Sequence, residues 1–523
     1  MTTTQRHIAR AAVLVTVLFM LSRALGLART VVFGYYFGAG AEMDAYNYAA
    51  HIPELLFNVV AGGALGSAFI PVFTGRIATG NRAGAWQLAT SLINLILVVL
   101  IPLCLLTALA APWLVRVLIA PAAPAAVQAR TVDLLRVLLL SPAIFGVSGV
   151  IMGALNGCQQ FALPALAPLF YNTAIIAGAI WGGERGGGVM GAAVGAVIGA
   201  LLHLGVQIPG LVREQARYGL WLGLRDTAVR EVGLLMLPRV FGVAAVQFNF
   251  VITNMLASRL EVGAVSILAY AWMIVLLPNV LAQAVGTTTF PTLSAQAAQR
   301  DAAGLQHTLR TALSAIITLM TPAAVGLVLL GRPIIALAFE RGAFSAGATE
   351  SVAWALALFA VGLVGHGALE IIARAFYAVH DTWTPALAAA GAVALNVTLG
   401  LALPSLFTNL GWAAYGGLAL ANGLAALLEM LVLLAILGRR ITGLPLRTLA
   451  NEAARVLIAS GGMAASLWLW LAIAPGHALI QTLGGVSIGV AIYGLLAWLL
   501  RVEALRPTVQ LVLRRVGVMR NKC

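Results

Sequence analysis

Charged side chains are scarce in this chain: 9% of its 523 residues, against 61% hydrophobic, with a mean hydropathy of +0.98. So little polar surface cannot coat a soluble globule, which excludes a water-soluble enzyme or binding domain as a reading of the whole chain. Acidic residues are the scarcer sign, 17 Asp and Glu against 31 Lys and Arg, for a net charge of +14. That excess would fit nucleic acid if the basic residues formed a patch with interleaved aromatics. They fall between apolar segments instead, so no nucleic-acid partner is expected. Cys104, Cys158 and Cys523 are too few and too scattered for a disulfide framework or a metal cluster. No phosphate-cradling loop, zinc-ligand spacing or catalytic triad occurs either. The expectation is a protein that is not an enzyme, with no metal and no cofactor, driven by a coupling ion or the membrane potential and not by ATP.

What is abundant is apolar sequence in runs of the length that spans a bilayer, about 20 residues. About 14 spans are expected, near 10–36, 44–74, 86–112, 131–156, 161–182, 187–212, 232–257, 263–296, 308–331, 350–378, 384–404, 412–437, 448–474 and 478–500. The opening basic and apolar stretch resembles a signal peptide, but Ser22 and Arg23 follow it without a small-residue cleavage site, so it reads as a retained first helix. Counted between alternate spans, arginines concentrate on the side of the N-terminus and of the Arg-rich tail. The positive-inside rule then places both termini in the cytoplasm of a multi-pass inner-membrane protein.

A repeat constrains the organisation further. Residues 66–102 align without gaps on 286–322, so that Pro71 and Pro291, Gly84 and Gly304, and Pro102 and Pro322 each differ by 220. Pro164 and Pro385 continue the match at an offset of 221. An even number of spans separates the copies, so the repeat is parallel and its two lobes are related by an axis along the membrane normal. The expected fold is all-α and polytopic. It comprises an N-lobe of six spans (1–212), a cytoplasmic interfacial linker (213–231) and a C-lobe of six spans (232–440), followed by two more spans and a basic tail (441–523). The linker mixes Trp221 and leucines with arginines, as an interfacial helix does.

Charges inside apolar spans are the functional signal, because each costs a few kcal/mol at the bilayer centre unless it faces protein or water. The first span carries Ser22, Arg23 and Arg29. The two arginines are six residues apart, about 9 Å along a helix, and a kink at Gly26 would help both point inward. Two guanidiniums lining one cavity suit a phosphate or pyrophosphate; the alternatives are snorkelling to the headgroups or pairing with Asp44 or Glu54. Arg239 holds the place equivalent to Arg23 in the second copy. Gln247, Asn249 and Asn254 face the cavity or join helices by amide hydrogen bonds. Glu370 and Arg374 have the i, i+4 spacing of a local ion pair. With Asp381 they complete a secondary set of cavity or ion-coupling candidates. His51, His203 and His366 are isolated and read as packed neutral imidazoles.

The runs SRALGLARTVVFGYYFGAGAEMDAY (22–46), GALGSAFIPVF (63–73), AAPWLVRVLIAP (110–121), LPRVFGVAAVQFN (237–249), RAFYAVHDTWTP (374–385) and GLALANGLAALLEM (417–430) resemble the MurJ/MviN family over nearly the whole chain. The resemblance implies the fold of the MOP superfamily, with alternating access between inward-open and outward-open V shapes. It also implies lipid II, an undecaprenyl-pyrophosphate-linked precursor of peptidoglycan, as the substrate of a monomeric flippase among membrane lipids. The family's first-helix Ser and two Arg correspond to Ser22, Arg23 and Arg29, and its acidic position to Asp44. The chain departs from the pattern at Phe57, where many members have Arg, at Gly62, where many have Glu, and at Met273 within the stretch where many have an Asp-Arg pair. Two alternatives stay open: a flippase for another polyprenyl-pyrophosphate glycan, and a MATE-like cation-coupled exporter, which should show an acid-lined cavity.

Overall fold

A computed structural model describes residues 3–60, 64–440, 446–474 and 476–503, with side chains from Val15 onward except at 64–67, 237–246, 248 and 446. Among the described residues eighteen α-helices follow one another and no strand occurs. They are α1 Thr3–Phe37, α2 Ala41–Val60, α3 Ala64–Ala78, α4 Arg82–Leu114, α5 Ala125–Leu138, α6 Ser141–Gly157, α7 Ala162–Glu184, α8 Met190–Gly205 and α9 Ile208–Arg213. Then come α10 Thr227–Ala257, α11 Ala264–Ala298, α12 Ala302–Phe339, α13 Ala346–Ala360, α14 Leu363–Ala378, α15 Trp383–Asn409, α16 Tyr415–Arg440, α17 Leu446–Ile473 and α18 Ala478–Leu499. A π-helical turn, Val115–Ile119, extends α4.

Among the described residues eleven stretches are long and apolar enough to cross a membrane, and twelve if α13 and α14, bent by 44° at their junction, form one broken span. Twelve of the fourteen expected spans are thereby matched among the described residues. The two remaining expected spans fall on α2 with α3, separated by 61–63, and on α10, much of whose side-chain set lies outside the described residues. Helices suit this solvent because they satisfy their own backbone groups. Their hydroxyls follow suit: Thr90, Thr107, Thr131, Thr173 and Thr398 each donate to the carbonyl four residues back.

The chain divides into two compact units, Met1–Ser266 with Arg341–Phe344, and Ile267–Glu340 with Ser345–Cys523. In the first, α7 packs on α8 along a seam of Gly178, Gly182, Gly191 and Gly195, where an added Cβ would strike the opposite backbone. In the second, α15 packs on α16, and α17 and α18 pack on each other and on α12.

Corresponding positions of the sequence repeat carry the same local structure. Asn81 and Asp301 each precede a helix and accept from the amide three residues on, Gly84 and Gly304. Pro71 and Pro291 both sit inside helices, as do Pro102 and Pro322. Gln159 and His380, before the matched Pro164 and Pro385, are both left-handed, with φ of 61° and 60°.

The linker corrects an expectation, because the chain is not helical between Glu214 and Asp226. It is pinned instead by side chains. Asn94 of α4 donates to the carbonyls of Gly219 (2.8 Å) and Trp221 (2.9 Å), and Tyr218 donates to Asn94 at 2.6 Å. Arg76 binds Asp226, the N-cap of α10, at 2.6 Å and the Gly84 carbonyl at 2.7 Å. The hydrogen bond from Arg76 holds the Asp226 carboxyl below the usual carboxylate range. Gly219 and Gly223, the latter at φ 61°, disfavour a helix here and leave Leu220, Trp221 and Leu224 exposed.

Candidate functional site

The first unit holds the two arginines of the first span. Helix α1 runs unbroken through Gly26, where an added Cβ would meet open space, so the expected kink is not what orients its arginines. Arg23 is exposed with its guanidinium 5.1 Å above the Phe19 ring, a cation–π contact, and Ser22 beside it is half-buried. Arg29, half-buried, lies within electrostatic reach of Glu54 and Tyr46 of α2 and Tyr171 of α7, while Glu54 shares a hydrogen bond with Asn58. Neither arginine closes an ion pair within 4 Å among the described residues.

Tyr46, Asn58 and Tyr171 are neighbours that the sequence reading missed, since tyrosines and amides in apolar helices carry no distinctive spacing. Phe57 explains its own departure from the family pattern. Its ring meets Phe145 at 5.6 Å, and Phe145 in turn meets Tyr171 at 5.0 Å and His203 at 5.3 Å. An aromatic wall stands where a cation would otherwise be.

Asp44 is engaged within the fold. Only 4% exposed, its carboxylate accepts from the Gly263 amide at 2.5 Å, the Ser266 amide at 2.8 Å and the Ser266 hydroxyl at 2.6 Å. It anchors the start of α11 and is not paired with either arginine. On α10, Gln247 and Asn249 are half-buried, Thr253 donates to the Asn249 carbonyl at 2.9 Å, and the Asn254 amide nitrogen is buried without a partner. The side chain of Arg239 lies outside the described residues, as does Gly62. The three histidines are packed as expected. His51 stacks on Phe250, His203 is hydrogen-bonded to Ser148 at 2.7 Å, and His366 meets Asn422 at 3.1 Å and the Trp272 ring.

In the second unit Glu370 and Arg374 form the expected local pair at 2.5 Å, with Arg374 lying over Gly286. Where many family members have an Asp-Arg pair, Tyr270 is buried against Phe339 and Trp272 packs on Phe359; Met273 beside them is half-buried. Asp381 lies between α14 and α15. It accepts from the hydroxyl of Thr384 at 2.6 Å and from its amide at 3.0 Å, and it pairs with Arg440 at the end of α16. These contacts, the Thr384 hydroxyl first, hold its carboxyl down to about 2. A depressed carboxyl stabilises the fold fully above its ordinary titration, near 4, and loses that contribution as pH falls through the folded value. Protection of the Thr384 amide, its exchange rate divided into the intrinsic rate at each pH, should therefore fall between about pH 4 and pH 2; constant protection across that window would show that the clamp does not depend on the carboxylate.

Eleven or twelve apolar spans among the described residues, in two compact helical units, with two arginines in one span that close no ion pair there and no nucleotide motif in the sequence, define a polytopic membrane transporter. The family model described as "Lipid II flippase MurJ" matches residues 33–506, and the chain belongs to that family. It is 31% identical over 505 residues to a "Probable lipid II flippase MurJ" of Rhizobium meliloti (90% of each chain). It is 30% identical over 442 residues to the "Lipid II flippase MurJ" of Burkholderia cenocepacia (82% of this chain, 84% of that one). Among solved structures it resembles "Lipid II flippase MurJ, inward closed conformation" with a TM-score of 0.79 at 25% identity, over 94% of this chain and 100% of the other. An inward-facing MATE transporter of the MOP superfamily shares the fold alone, with a TM-score of 0.69 at 16% identity over 83% and 98%. The family match begins after Ser22, Arg23 and Arg29, so those residues rest on their own geometry.

Proposed function

We propose that this chain moves lipid II from the inner to the outer leaflet of the cytoplasmic membrane by alternating access, as a monomer with both termini in the cytoplasm and with lobes bounded as the sequence repeat places them. The observation that carries the reading is the pair Arg23 and Arg29, two guanidiniums in an apolar span with no ion-pair partner among the described residues. A diphosphate presents several anionic oxygens for their forked donors, and the Ser22 hydroxyl can add one more. Family membership supports the substrate.

One observation favours a second reading, a flippase for a different polyprenyl-pyrophosphate glycan. The Phe57–Phe145–Tyr171 wall stands where many members have a cation, and aromatic faces suit sugar rings. A cation exporter is less well supported, because Asp44 is occupied by Gly263 and Ser266. The test is rescue of a strain depleted of its own lipid II flippase, together with translocation of purified lipid II in proteoliposomes that hold an ion gradient and no ATP. Rescue and ATP-independent movement are expected; movement of a different lipid-linked glycan alone would select the second reading, and strict ATP dependence would defeat both.

A further inference from the structure

Glu429 is the one acid in the apolar helix α16 and takes no part in the site described above. It lies eleven residues before Arg440 and fourteen after Tyr415, about 16 Å and 21 Å from the helix ends, hence deep in the hydrocarbon. It faces a groove of about 550 Å³ between α15 and α16, walled by Leu387, Gly391, Leu395, Leu428 and Val432 and ending at Arg440. No hydrogen bond or ion pair reaches Glu429 among the described residues. Helix α15 offers it no titratable side chain at all. Helix α14 carries His366, bound to Asn422, Glu370 and Arg374, bound to each other, and the exposed Tyr377; the single acid of α13, Glu350, is paired with Arg332. On α16 itself are Tyr415, Arg439 and Arg440, and Arg440 is engaged by Asp381.

A carboxylate at this depth needs a counter-charge or a proton, and the surrounding helices supply no counter-charge. We propose that Glu429 is a proton-binding site within the bilayer, reached along the groove between α15 and α16. The carboxyl is neutral while the groove holds hydrocarbon and releases its proton when water enters from the Thr384 and Arg440 end. The inference concerns the ion and not the lipid carried, so it stands or falls apart from the substrate reading.

The test is labelling of the full chain in lipid nanodiscs with dicyclohexylcarbodiimide, read by mass spectrometry of the Glu429 peptide. The acid's proton passes to one carbodiimide nitrogen and its oxygen bonds to the central carbon. The acyl group then shifts to nitrogen, leaving a stable acylurea heavier by one reagent, with nothing oxidised or reduced. Labelling is expected at Glu429 and absent in E429Q. It should fall about tenfold per pH unit above the group's titration and should not occur with a water-soluble carbodiimide. No labelling at any pH, labelling undiminished in alkali, or equal labelling by the soluble reagent would overturn the proposal. The wild-type protein alone decides the question, so poor accumulation of the variant leaves the test intact.

Discussion

Arg29→Ala is expected to reduce translocation of a pyrophosphate-linked lipid by about 10- to 100-fold, the loss that follows when a charge-assisted hydrogen bond worth about 1.5–3 kcal/mol disappears. Arg29 is the more sheltered of the two first-helix arginines, set among Glu54, Tyr46 and Tyr171, where solvent screening is weakest. Arg23, exposed and lying on Phe19, should lose less when truncated. Lysine at position 29 keeps the charge but not the planar fork, so partial activity is expected from Arg29→Lys. Membrane insertion should be unaffected, because removing a charge from a span eases insertion. Flipping assays on equal amounts of reconstituted protein decide the matter. Full activity in Arg29→Ala would reduce the arginine to a topological anchor.

Asp44→Ala should act differently, through the fold. Its removal strands two buried amides and a hydroxyl, at Gly263 and Ser266, each of which then carries a desolvation cost of about 1–3 kcal/mol. Even the low end of that sum, about 3 kcal/mol, is a large share of an ordinary protein's stability, so the variant should accumulate poorly and melt early. Asn at this position keeps an acceptor for one amide but turns an N–H toward the other, and should fall between the two. Thermal unfolding in detergent, compared with flipping by whatever folded protein remains, separates this anchoring role from a role in binding. Normal stability with selective loss of flipping would return Asp44 to the substrate site.

The hydropathy and the repeat made the all-helical, many-spanning fold legible, because a bilayer imposes a length and a polarity on every segment that crosses it. Local pairs were legible where spacing alone decides them, as with Glu370 and Arg374 at i, i+4. Contacts between helices were not. Nothing in the spacing of Asp44 points to Gly263 and Ser266, more than 200 residues away, and an acid near two arginines invites the simpler pairing. The linker was misjudged because amphipathic composition fits a helix and a pinned loop equally, and only Asn94, far back in α4, decides between them. Phe57 could be recognised as a departure but not as a member of a wall, since its neighbours come from α6, α7 and α8. Glu429 is a lone acid in an apolar run, but sequence alone does not show the groove it faces.

The paired turns at Gln159 and His380 bear on how this chain descends from its relatives. Glutamine and histidine both find φ near +60° uphill, yet both copies keep the turn while its residue changes. The same corner is thus built with two different side chains in the two copies, as expected if the helices that meet there dictate it. By contrast, the glycines three places after Asn81 and Asp301 are crowded by the capping side chains themselves, so that any larger residue would displace the cap. When the two halves of this chain are brought into register, the capped glycine is the residue with least room to change and the left-handed corner the one with more.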